Sequence, residues 1–118
     1  MSLYSELILD HYQNPRNYGM VNRPTGHSHV SNPLCGDEID LTIRIEKGRI
    51  EDVKFKGQGC AISKASASMV TAYLKGKPKD ELKKIDKKFI IKLLGIELGV
   101  NRIKCALLPL EAVKKLEL

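Results

Sequence analysis

The clearest periodicity in the chain is a pair of alternating runs. Glu38-Ile39-Asp40-Leu41-Thr42-Ile43-Arg44-Ile45-Glu46 sets an apolar residue at every second position, and Ile50-Glu51-Asp52-Val53-Lys54-Phe55 reads as a second run of polar and apolar residues in alternation, less strictly spaced, after the joint Lys47-Gly48-Arg49. A period of two predicts strands, and a short glycine-containing joint predicts an antiparallel hairpin. One face of that hairpin is apolar and the other charged, so its apolar side needs a helical layer.

Helical spacing supplies that layer. Leu3, Leu7, Ile8 and Tyr12 predict a short amphipathic helix over Ser2 to Tyr12, stopped by Asn14-Pro15-Arg16-Asn17-Tyr18-Gly19. Met20 to Pro33 is polar and reads as irregular or weakly extended. Ala61 to Leu74, rich in Ala and Ser, predicts a closely packing helix ended by Gly76-Lys77-Pro78, and Lys79 to Ile85 and Lys87 to Leu94 predict two shorter ones. Proline sits without distortion only in a helix's first turn, so Pro109 places the start of a last helix around Ala106 to Leu108, running to Leu118. The expected class is α+β: one domain over residues 1–118, an antiparallel sheet of about three strands with helices packed on one face.

Composition narrows the function classes. With 42% hydrophobic and 29% charged residues the chain is an ordinary globular one. The longest apolar stretch, Phe89 to Val100, is broken by Lys92 and Glu97 and is too short for a bilayer. Met1-Ser2-Leu3-Tyr4-Ser5-Glu6 carries no basic leader, so no membrane association and a cytoplasmic location are expected. The net charge of +6 raises nucleic acid as a partner, but much of the excess lies between Lys75 and Lys92, interleaved with Asp80, Glu81 and Asp86 as on a solvated face. With no Trp and two Phe, stacking platforms are scarce; nucleic acid is not expected, and an acidic protein partner suits the charge better.

The chemistry lies with the cysteines. Three is an odd count, which leaves a thiol over from any disulfide framework and suits a metal or redox site in a reducing compartment. Cys35 stands in the turn before the first clear strand, within Asn32-Pro33-Leu34-Cys35-Gly36-Asp37; Cys60 follows the second strand, within Gly57-Gln58-Gly59-Cys60. The start of one hairpin strand and the end of its partner share one end of the sheet, so these two thiols can meet. Cys105 is expected just ahead of the last helix, as Cys60 is ahead of its own. A helix N-terminus favours a thiolate, and Lys64, Arg102 and Lys104 add positive charge. Asp37, two residues from Cys35 across a glycine, can bring a harder oxygen to the same metal, and three thiolates with one oxygen suit zinc or iron. Each piece also has a plainer reading: a buried apolar cysteine, an Asx turn at Asp37, glycines serving a bulge. The residues alone reach three convergent cysteines and an aspartate. His27-Ser28-His29 would put two imidazoles on one face of a strand, but such pairs in polar loops are usually solvated, and they are not counted as ligands. His11 is assigned a contact with the following loop.

These segments together carry a resemblance. Asp10-His11-Tyr12-Gln13-Asn14-Pro15-Arg16-Asn17 followed by Gly19, then Cys35-Gly36-Asp37, then Gly57-Gln58-Gly59-Cys60-Ala61-Ile62-Ser63, then Arg102-Ile103-Lys104-Cys105-Ala106 resemble the U-type iron-sulfur cluster scaffold family: IscU, SufU and the N-terminal domain of NifU. The resemblance implies a scaffold that takes sulfur from a cysteine desulfurase, builds a transient 2Fe-2S cluster and passes it to apo acceptor proteins. It makes Cys35, Cys60 and Cys105 ligands of the cluster or of zinc, Asp37 the auxiliary ligand, and Cys105 the persulfide acceptor.

Two departures separate the chain from IscU-type members. Lys104 stands where they have His, as in SufU-type members; a protonated lysine offers no lone pair, so its implied role is electrostatic support of Cys105. Gly99-Val100-Asn101-Arg102-Ile103 lacks their proline-rich signal to an Hsp70-type chaperone, so that partner is not implied. The interval from Lys75 to Asn101 is too compact for the extra SufU-type segment, which favours the scaffold. Lys104 favours the alternative, a zinc-dependent sulfurtransferase that is SufU-like. A monomer or weak dimer is expected in either case.

Overall fold

The computed structural model describes residues 6–33, 36–95 and 99–116, with backbone alone at 100 and 101. Cys35 and the first residues of the expected N-terminal helix, Ser2 to Ser5, lie outside the described residues. The element order is α1 (Glu6–Gln13), β1 (Gly26–Asn32), β2 (Asp37–Glu46), β3 (Arg49–Gln58), α2 (Ala61–Leu74), α3 (Glu81–Lys84), α4 (Lys87–Leu94) and α5 (Val100–Lys114). The strands form an antiparallel meander in the order β1-β2-β3, so the α+β expectation holds. Among the described residues no helix is long and apolar enough to cross a membrane.

The β2–β3 hairpin turns on Lys47 and Gly48, both with positive φ (52° and 76°), the backbone that matches the twist of a two-residue turn. Ile39, Leu41 and Ile43 of β2 and Ile50, Val53 and Phe55 of β3 are buried together. Ile50 and Val53 could not share a face under strict alternation. A register shift pairs Ile45 with Ile50 and Arg44 with Asp52, and this bulge returns both side chains to the core.

Within Met20–Pro33 the structure forms β1, an edge strand, where the sequence predicted irregular or weakly extended chain. Its inward residues are Gly26, Ser28 and Val30, so the strand has almost no apolar alternation to read. Ser28 is buried because its hydroxyl donates to the Ala112 carbonyl oxygen on α5 at 2.6 Å.

Helix α2 packs against α1, α5 and β3. Its small side chains allow this close approach and also serve as hydrogen-bonding posts. Ser68 Oγ accepts from the Arg16 N–H at 2.8 Å and lies 2.7 Å from His11 Nδ1. Asn17 donates to Thr71 Oγ1 at 3.3 Å, while its carbonyl accepts from the Phe55 N–H and the Gly19 N–H donates to the Phe55 carbonyl. The Asn14–Gly19 motif thus ties α1 to α2 and occupies the outer edge of β3.

His11 is buried at this joint, and burial foremost, with Arg16 adding, lowers its pKa. A lowered histidine pKa means the unfolded chain takes up the proton first. Stability is therefore expected to fall as pH drops below about 6.5, until the folded-state value is passed. Urea midpoints at about pH 7.5 and about pH 5.5 check this: His11→Gln should show a smaller drop than wild type, and equal drops would remove His11 as the cause.

The last helix also differs from expectation. It begins at Val100 rather than at 106–108, and Pro109 lies inside it. Proline has no N–H for the carbonyl four residues back, at a cost of roughly 3 kcal/mol in a helix interior. Burial of Ala106, Leu108 and Ala112, and the bond from the Ser66 hydroxyl to the Ala106 carbonyl at 2.7 Å, offset that cost.

Candidate metal centre

The site forms at the end of the sheet where β2 begins and β3 gives way to α2. Glu38 pairs with Gln58, which brings Asp37 level with the Gly59-Cys60 step. Two glycines make the approach possible. At Gly57, φ is +153°, and a Cβ would run into the Glu38 carbonyl oxygen; at Gly59 a Cβ would lie 2.5 Å from Ser63 Oγ and 2.7 Å from Asp37 Oδ1. Only hydrogen fits in that corner.

Cys60 is the N-cap residue of α2, with extended backbone (φ −73°, ψ 170°), as its expected place at the mouth of the helix requires. Asp37, only 2% exposed, holds it there: Oδ1 accepts from the Cys60 N–H at 3.0 Å, and Oδ2 lies 3.6 Å from Cys60 Sγ. Ser63, one turn into α2, donates to the Cys60 carbonyl at 3.1 Å and lies 3.9 Å from the sulfur. Neither the Asp37-to-amide bond nor the part played by Ser63 was legible in the sequence, where Ser63 reads only as another small helical residue.

Cys105 arrives from within α5, not from ahead of it. Its ligand atom and those of Asp37 and Cys60 all lie within 4.8 Å of one another. Cys60 is exposed and Cys105 buried. Burial pushes the Cys105 thiol pKa up, and the neighbouring Cys60 and Asp37 add to the shift. The helix-start thiolate expected of Cys105 is therefore corrected: in the metal-free protein this sulfur keeps its proton at neutral pH. Lys104 is exposed on α5 and lines a cleft of about 280 Å³ with Ser31, Asn32 and Pro33, beside the chain that leads to Cys35.

A difference in reactivity follows. In metal-free protein at neutral pH, iodoacetamide is expected to label Cys60 faster than Cys105 by about an order of magnitude or more, because only an accessible thiolate attacks. Peptide mass spectrometry over a time course reads this, and equal rates would contradict the burial of Cys105.

The donor set fits a thiophilic metal. Two sulfurs and a carboxylate oxygen converge with their protons or charges in mutual conflict, and a divalent cation resolves that conflict by replacing protons. The described residues supply three of the four expected ligands; the fourth, Cys35, lies outside them.

Comparison with known proteins gives a consistent result. Residues 3–116 match the family model described as NifU-like N terminal domain. The chain is 39% identical to the zinc-dependent sulfurtransferase SufU of Bacillus subtilis, covering 97% of this chain and 88% of that one. It is 41% identical to the iron-sulfur cluster assembly scaffold protein IscU of Escherichia coli, covering 94% and 88%. The alignment to that SufU spans 131 positions, more than the 118 residues here, whereas the alignment to that IscU spans 115. Among solved structures, a Fervidobacterium islandicum protein described as a candidate cluster-assembly scaffold for the SUF system superposes with a TM-score of 0.77 at 29% identity, covering 94% of this chain and 93% of that one.

Proposed function

The chain belongs to the family of NifU-like N-terminal domains, and from that premise we propose that it is a scaffold on which a labile iron-sulfur cluster is built and from which the cluster passes to acceptor apoproteins. The observation that carries this reading is the convergence of Asp37, Cys60 and Cys105 at one end of the sheet, with one thiol open to solvent and two ligands buried. Such a corner can receive cargo from outside and hold it against the fold.

Cys35, Cys60 and Cys105 hold the cluster, of the 2Fe-2S type, and Asp37 is its auxiliary ligand. Iron and sulfur are cargo here, and zinc occupies the same ligands in the resting protein. A hard carboxylate oxygen binds these ions less tenaciously than a fourth thiolate would, which suits a site that must unload.

Sulfur comes from a cysteine desulfurase. The Cys105 thiolate attacks the outer sulfur of the desulfurase persulfide; a new S–S bond forms on Cys105, the old one breaks, and the desulfurase thiolate leaves. Because burial keeps the Cys105 proton in place, a bound cation or the docked partner must favour its loss first. Lys104, exposed at the neighbouring cleft, supplies positive charge toward the anionic sulfur that arrives.

The second reading, a zinc-dependent sulfurtransferase, is favoured by Lys104 and by the SufU relative of that name. Anaerobic incubation with ferrous iron, cysteine and a desulfurase separates the two. The scaffold develops an iron-sulfur absorption spectrum with iron and sulfide bound. Tight zinc, faster desulfurase turnover and no chromophore would replace the scaffold with the sulfurtransferase.

A further inference from the structure

The solvent face of the sheet carries a looser group of potential metal-ligating side chains, built on β1. His29 is directly opposite Asp40 in the β1–β2 register, and His27 is opposite Thr42, one diagonal step from the same carboxylate. Both imidazoles have turned to it: His29 Nδ1 lies 2.9 Å from Asp40 Oδ1, and His27 Nε2 lies 3.5 Å from that same oxygen. The side chains of His27 and His29 are 51% and 49% exposed and that of Asp40 29%, so an ion can reach them from bulk water.

We infer that His27, His29 and Asp40 form a binding site for a first-row divalent transition ion. Metal–nitrogen and metal–oxygen bonds run about 2.0–2.2 Å, so two ligands at right-angled to tetrahedral openings stand about 3.0–3.5 Å apart. Each His–Asp40 separation is close to that range, whereas the three donor atoms do not all lie within 4.8 Å of one another as those of Asp37, Cys60 and Cys105 do. The two rings must still swing toward each other to share one ion, and half-exposed imidazoles on an edge strand have room to do so. Two imidazoles and one carboxylate with open positions suit Fe²⁺, Co²⁺ and Zn²⁺, with water completing the shell, and do not suit Mg²⁺ or Ca²⁺, which demand oxygen. Lys56, paired with Asp40 on β3, opposes a cation but is exposed and can extend away; Glu38, paired with Ser31, favours one.

The site is separate from the thiolate corner. Asp37 and Asp40 are an odd number of residues apart on β2, so their side chains leave opposite faces of the sheet. An ion held by His27, His29 and Asp40 needs nothing from the scaffold role of Cys60 and Cys105.

Anaerobic titration of the full chain with Co²⁺ tests it, because cobalt bound to thiolate gives an intense near-ultraviolet charge-transfer band and cobalt bound to imidazole and carboxylate does not. The expected result is an equivalent of Co²⁺ bound without growth of that band, accompanied by shifts of the His27 and His29 ring protons in NMR spectra. His29→Gln and Asp40→Asn should each weaken this equivalent by at least about tenfold and leave the thiolate band intact. If all bound cobalt appears in the thiolate band, or if the additional equivalent persists unchanged in both variants, the site does not exist.

Discussion

Asp37→Ala is expected to weaken zinc retention by roughly 10- to 100-fold or more, the scale at which even a partner that only orients a ligand is felt. Asp37 has two roles at once. Its Oδ2 lies 3.6 Å from Cys60 Sγ, and its Oδ1 accepts from the Cys60 amide at 3.0 Å, so its loss removes one proposed donor and releases the backbone that aims a second. Competition against a chromophoric chelator measures the change. Asp37→Asn divides the two roles, because its amide oxygen still accepts from the Cys60 N–H while the anionic ligand is gone. Retention in Asp37→Asn close to that of Asp37→Ala marks Asp37 as a ligand. Full recovery would reduce it to a capping group, and unchanged retention in both variants would remove it from the site.

Gly57→Ala is expected to cost roughly 2–4 kcal/mol, a large share of the stability of a domain this size. Its backbone lies at φ +153°, and the added methyl would meet the Glu38 carbonyl oxygen and the Ile39 Cα, both rigid parts of the paired strand. Gly48→Ala is the matched control: its φ is +76° but its surroundings are open, so only the conformational penalty of about 1 kcal/mol applies. Urea unfolding of the two variants should show the larger loss at Gly57. Equal losses would mean that the close approach of β3 to β2 does not set the position of Cys60.

The hairpin was legible in the sequence because each strand buries one face, and alternation of Ile, Leu, Val and Phe reports that directly. β1 was not, since its inward positions are Gly26, Ser28 and Val30 and its place depends on β2 and on the Ala112 carbonyl, which no local pattern encodes. The start of α5 was misplaced for a related reason: the rule for Pro109 is local, whereas the burial of Ala106 and Leu108 and the Ser66 bond that sustain the helix are tertiary. The longer α5 also places Cys105 on a buried turn of the helix rather than at its mouth. Cys60 was legible because hairpin geometry returns the end of β3 to the start of β2, and Asp37 because it stands two residues from Cys35 at that start. His27 and His29 lie on β1 rather than in a polar loop, and strand register sets Asp40 opposite His29.

The cargo proposed for this corner, iron and sulfur carried together, is read by its transfer to an acceptor. The chain is loaded anaerobically with iron and with isotope-labelled sulfur from desulfurase and cysteine, freed of excess reagents, and mixed with an apo-ferredoxin in the presence of an iron chelator. Label and iron are expected to reach the acceptor together, the acceptor to gain its cluster spectrum, and the chelator to capture little of the iron. Sulfur that reaches the acceptor without iron, or iron that goes to the chelator while the acceptor stays colourless, would contradict it.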